Sequence, residues 1–162
     1  MVFVNQSQAQ SREVTVNVDL KDVLSSGGEG DGGTATGANV VNFEFTTESH
    51  YRTTQSQIIA DQLRVLSTKD YDVTVKAQTA NFTSPNSTLP LSILKISAAP
   101  GGSTTFGTAV TLTTSEQSIV EEGIPTLAQS YDIKYDIEPN IELINADKEL
   151  YTVKVLFTVV AI

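Results

Sequence analysis

The sequence predicts an all-β protein, an immunoglobulin-like antiparallel β-sandwich, with a closed barrel as the alternative architecture. Three observations predict it. Apolar and polar residues alternate with a period of two almost from end to end, as half-buried strands require. The runs are rich in Val, Ile, Tyr and Phe, which suit a pleated surface. Gly, Pro, Asn, Asp and Ser punctuate them, as in NFTSPNST, APGGSTTFG and EEGIP.

The first strand is SREVTVNVDL, in which Val14, Val16, Val18 and Leu20 alternate with Thr15, Asn17 and Asp19. Its apolar face must lie against something, either its own chain or another copy. Further strands are expected at Val41–Phe45, Leu63–Leu66, Tyr71–Ala77, Leu91–Ile96, Val110–Leu112, Tyr131–Ile137 and Tyr151–Ala161. Ser67–Asp70 reads as a hairpin turn between two of them. Helix signals are scarce: QSQIIADQLRVL offers a turn or two, and its end is better as a strand. With 162 residues the chain fits one sandwich, and no internal repeat is visible. The expected organisation is an N-terminal extension and strand (residues 1–20), a glycine-rich linker or loop (21–39) and a sandwich (40–162).

Composition excludes several function classes. There is no cysteine, hence no disulfide framework and no thiolate metal site. Ten Lys and Arg against nineteen Asp and Glu leave a net charge of −9, and no basic stripe interrupts it, so a nucleic acid partner is not expected. The longest apolar run, near Val159–Ile162, is far too short to span a bilayer, and Met1–Val4 is too short for a secretory signal core. An exported protein of this sequence would be a mature form, or one keeping only the last fragment of its signal.

No catalytic constellation emerges, and no enzyme or cofactor is expected. His50 is the only histidine; in the polar run TTESHYRTTQ it reads as an exposed or loop residue. Asp132, Lys134 and Asp136 share the strand face opposite Tyr131, Ile133 and Tyr135, and read as a solvated face of alternating charge. Glu121–Glu122 shows no environment that would separate two carboxyl pKa values. Glu29 and Asp31 lack the ligand alternation of a calcium loop. PGGSTTFG lacks the lysine and helix of a phosphate cradle. The sequons at Asn81 and Asn86 mark loops.

The segment SSGGEGDGGTATGAN carries six glycines and no large side chain, so it is either a long surface loop or a slack connection that lets the preceding strand leave its domain. In the last strand Tyr151, Val153, Val155, Phe157, Val159 and Ala161 share one face.

Four stretches, REVTVNVDLKDVL, QLRVLSTKDYDVTVKAQT, LPLSILKISAAPGG and ELYTVKVLFTVVAI, together resemble the major pilin subunits of chaperone–usher fibres. The nearest likeness is to the cysteine-free colonisation-factor type and the spore-coat-U-like relatives. It covers most of the chain as alternating strands in a familiar order. In that family the sandwich lacks a strand, and the next subunit's N-terminal strand fills the groove. The resemblance implies that Val14, Val16, Val18 and Leu20 plug a neighbour's groove, and that Tyr151, Val153, Val155, Phe157 and Val159 line it. It further implies an extracellular, cell-surface filament of identical subunits serving attachment or biofilm formation, with a periplasmic chaperone and an outer-membrane usher as assembly partners. The stretch before Ser11 is longer than the likeness requires, and Val2 and Val4 share the parity of Val14, so the donated register could start earlier. Two other readings of the same residues are a monomeric secreted carbohydrate-binding or adhesin module, and a viral capsid or tail protein. The absence of Trp weighs against an aromatic sugar platform.

Overall fold

The structure is a computed structural model that describes residues 10–20 and 39–162. The chain folds as a β-sandwich. Its strands are β1 (Gln10–Leu20), β2 (Val40–Phe45), β3 (Gln55–Ser67), β4 (Tyr71–Ala77), β5 (Asn81–Thr83), β6 (Thr88–Pro90), β7 (Leu94–Pro100), β8 (Val110–Thr111), β9 (Gln117–Gly123), β10 (Thr126–Ile137) and β11 (Leu150–Ala161). One sheet runs β2-β1-β11-β4-β9, with the small β5–β6 hairpin attached to β11; the other runs β3-β10-β7-β8. Among the described residues no ladder joins the two sheets, so the architecture is a sandwich rather than a closed barrel.

The alternating residues turn inward as their parity dictates. In β4 and in β11 up to Phe157, buried and more exposed positions alternate strictly, and the inner faces meet in one core. Tyr71, Tyr135, Tyr151, Phe43, Phe45, Phe82 and Phe157 are its largest sealed side chains. Burial of each aliphatic side chain contributes roughly 1.5–3 kcal/mol gross.

Several local expectations are corrected. The segment from Gln55 is strand throughout, with no helical turn. Leu91–Ile93 forms a 3-10 turn ahead of β7. Residues 67–70 do not make a hairpin, because β3 and β4 belong to different sheets and the turn carries the chain between them. The sequon at Asn81 begins β5, where Phe82 is fully buried. The sheets are not antiparallel throughout: β1 runs parallel to β2.

Two short helices were not foreseen. α1 (Glu48–Arg52) starts at Thr47, whose hydroxyl accepts from the His50 amide, and α2 (Ile141–Asn145) starts at Asn140, whose side chain accepts from the Glu142 amide. Both carry an acidic residue in the first turn, favourable for the positive end of the helix dipole. His50 is therefore not exposed: only 3% of its surface is accessible, and its Nδ1 accepts from the Thr46 amide at 3.1 Å.

Candidate functional site

The feature that stands out is the place of β1. It lies between β2 and β11, which do not pair with one another. With neighbouring strands about 4.8 Å apart, β2 and β11 bound a slot one strand wide, roughly 10 Å from side to side. β1 is antiparallel to β11 from Gln10↔Val159 to Asp19↔Leu150 and parallel to β2 from Thr15↔Val40 to Leu20↔Phe45. Residues 10–14 are thus paired on the β11 side only.

The residues named for the donor strand and for the groove meet directly. Val14 stands opposite Val155, Val16 opposite Val153 and Val18 opposite Tyr151. Val14, Val16 and Val18 have no accessible surface, and neither have Val155 and Tyr151. Phe157 stands opposite Arg12, and Val159 opposite Gln10. Leu20 pairs with Phe45 of β2 rather than with a groove residue of β11. All of this occurs within one chain. The groove that the sequence reading reserves for a neighbour's strand is filled here by the chain's own β1, so an isolated copy has no vacancy at that place.

The outer face of β1 is tied as well. Asn17 spans the slot: its Nδ2 donates to Asn42 Oδ1 of β2 at 2.9 Å, and its Oδ1 accepts from Thr152 Oγ1 of β11 at 2.9 Å. Glu13 accepts from Gln78 Nε2 at 2.7 Å and lies 3.4 Å from Lys154 Nζ. These contacts, with the Gln78 bond first and Lys154 second, hold the Glu13 carboxyl below the ordinary glutamate range. Arg12 has the parity of the valines, but its guanidinium turns to Asn39 Oδ1, with Nε at 2.9 Å. It flanks a recess of about 230 Å³ shared with Ser11, Leu63, Arg64, Phe157 and Val159. Val2, Val4, Glu29 and Asp31 lie outside the described residues.

The carboxylates of YDIKYDI behave differently from the solvated face expected of them. Asp132 is 8% exposed. It points away from the core but is covered: Oδ1 accepts from the Asp61 amide at 2.8 Å and Oδ2 from the Gly102 amide at 3.2 Å. Both donors sit in left-handed backbone, Asp61 at φ +51° and Gly102 at φ +81°. At Asp61 β3 bulges: β10 advances from Tyr131 to Ile133 while β3 runs from Leu63 to Ile59. The bulge turns Gln62 inward, fully buried, where its Oε1 accepts from the Tyr135 hydroxyl. Burial pushes the Tyr135 hydroxyl well above the ordinary tyrosine range. Asp136 accepts from Ser56 Oγ and lies 3.6 Å from Lys134.

The larger recess, about 530 Å³, opens between β9 and the β7–β10 side of the other sheet. On its floor the Tyr71 and Tyr131 hydroxyls, one from each sheet, bond to each other at 2.6 Å. Gly123 packs on the Tyr71 ring so closely that a Cβ there would meet it at 2.5 Å. Among the described residues no group of three or more His, Asp or Glu is placed to hold a metal ion, and no helix is long and apolar enough to cross a membrane.

Fold and site together define a class: an all-β sandwich whose first strand fills a slot between two strands that do not pair with each other. Neither a protein-family model nor a curated protein matches the sequence.

Proposed function

We propose that the protein is a non-catalytic structural subunit that polymerises head-to-tail by passing β1 into the slot of the next copy, building an extracellular filament for attachment. One observation carries this reading. β1 is the sole filler between β2 and β11, and it is joined to the rest of the sandwich through residues 21–39 alone. Its ladder and side-chain partners all lie on β2, β4 and β11 or beside them, so a second copy's β1 would find the same partners.

Because the contacts are the same within and between copies, their balance is set by concentration and timing. Because β1 belongs to the same chain as its slot, closure within a copy is favoured at low concentration, and exchange gains as concentration rises. Closing on itself also requires pairing residues far apart in sequence, Gln10 with Val159, and a parallel ladder with β2. Such long-range closure is slow. Copies brought together before their own strand has docked therefore exchange strands. Head-to-tail exchange is a heterologous contact that need not close, so it extends into a rod.

The test uses the absence of native cysteine. Thr15 and Lys154 are cross-strand partners. Copies carrying only Thr15→Cys are unfolded, mixed with copies carrying only Lys154→Cys, refolded together at high concentration and oxidised. The expected result is a disulfide-linked pair joining the two kinds of copy, with rods from the native chain by negative-stain microscopy. Absence of that mixed pair, while a Thr15→Cys/Lys154→Cys double variant closes readily within one chain, overturns the proposal.

A further inference from the structure

We infer that Arg12 and Asn17 set the register in which β1 is read by its slot, and so decide which leading strands the slot accepts. The consequence for pairing between copies rests on the strand exchange proposed above; the register itself does not.

The inner face of β1 is a poor ruler. A one-residue slip would turn every valine outward and is forbidden by burial. A two-residue slip keeps the alternation, so other residues must oppose it, and the two directions meet different obstacles. When each residue takes the place of the one two positions later, Arg12 enters the place of Val14, which is sealed from solvent opposite Val155. An unpaired guanidinium there loses its hydration and its bond to Asn39. Arg12 thus blocks this direction. It escapes the same fate in the native register because its own place lies beyond the start of β2, beside the 230 Å³ recess.

In the opposite slip, each residue takes the place of the one two positions earlier. Val14, Val16, Val18 and Leu20 then occupy the places of Arg12, Val14, Val16 and Val18, so the sealed places stay apolar, while Asp22 takes the place of Leu20 in the pairing with Phe45. The objections come from the two ends of the strand, where Arg12 again leaves Asn39, and from the outer face. Asp19 would stand between Asn42 and Thr152, where a carboxylate accepts from the threonine hydroxyl but has no hydrogen to give Asn42 Oδ1. The contacts of Glu13 with Gln78 and Lys154 would also go. Asn17 gives a donor to one wall and an acceptor to the other. A foreign strand with alternating valines but no amide at this position would fit the groove and fail the walls.

Three cysteine pairs read the register. Cysteines at 15 and 154 report the native pairing, at 15 and 156 the slip that Asn17 opposes, and at 13 and 154 the slip that Arg12 opposes. In the otherwise native chain only the first pair should close. Asn17→Ala should raise closure of the 15–156 pair about tenfold, the effect of two lost hydrogen bonds. Asn17→Asp keeps the size and the acceptor but removes the donor, and should act in the same direction. Arg12→Val should raise closure of the 13–154 pair. Unchanged closure of the slipped pairs in all three variants, each still closing 15–154, overturns the inference. Whether a product is a monomer or a ladder of copies on a denaturing gel reports strand exchange separately, so failure of one reading is not mistaken for failure of the other.

Discussion

The flank built from β2, β1 and β11 and the flank built from β3, β10 and the turn after β7 hold their strands in opposite ways. On the first, contacts repeat: at every second residue an inward valine of β1 meets an apolar partner, Val155, Val153 or Tyr151, and one amide and one carboxylate tie the outer face. On the second, contacts depend on departures from regularity. Asp132 holds two amides that exist where they are only because Asp61 and Gly102 adopt left-handed backbone, and Gln62 reaches Tyr135 only because β3 bulges. A repeating strand can be supplied by any copy that brings the same sequence. A bulge, a turn and the carboxylate that joins them cannot be traded piecemeal, since each forms in place. The first flank is the one suited to exchange, and the second is the frame that stays put.

The sharpest way to break this contrast is Asp132→Ala. Two backbone donors on exposed residues lose a charged acceptor, and at roughly 1–1.5 kcal/mol for each lost bond the cost is about 2–3 kcal/mol of stability by denaturant melting. Passage of β1 between copies should not increase relative to global unfolding, because Asp132 and its two donors share no ladder with β1, β2 or β11. Val16→Ala removes two buried carbons and leaves a small cavity, costing about 2 kcal/mol. Here the loss should fall on β1 itself, so mixed cross-links between Thr15→Cys and Lys154→Cys copies should form faster. Equal exchange rates in the two variants would abolish the distinction. Tyr135→Phe, which withdraws the hydroxyl from Gln62, should cost about 1 kcal/mol and leave exchange unchanged.

The same contrast explains what was legible in the sequence. Strands such as Tyr71–Ala77 and Tyr151–Ala161 declare themselves because period-two alternation is a local property, and the sandwich follows from their number. The inward faces of the first and last strands are legible because both runs alternate; that Val14, Val16 and Val18 meet Val155, Val153 and Tyr151 is a register that alternation leaves open. That β1 fills its own slot in a single chain, and runs parallel to β2, is a matter of topology that alternation does not encode. The bulge at Asp61 left no trace either: ADQL offers no glycine to mark a left-handed residue. Parity alone puts Asp132 on a solvated face, because the turn and the bulge that cover it are not encoded in alternation. The two short helices were signalled only by Thr47 and Asn140 at their starts, ahead of runs too short to show a 3.6-residue period.

The smallest effect concerns Glu13, on the periodic flank. Gln78 and, secondarily, Lys154 hold its carboxyl below the ordinary glutamate range. A carboxyl lowered in the folded state stabilises the fold above its unfolded pKa of about 4.3, and that contribution is lost as pH falls through the lower folded value. Acid should therefore loosen the outer anchor of β1 before it affects the valines. Because Glu13 is exposed, the change should be visible in its own carboxyl resonance rather than in the global melt. Glu149 provides an internal control: Ser84 and Asn86 lower its carboxyl in the same direction, at the β5–β6 turn. Gln78→Ala should move the Glu13 midpoint upward and leave Glu149 where it is. A Glu13 midpoint that does not respond would mean that the outer face of β1 is not held by Gln78, and would leave Lys154 and Asn17 as its ties.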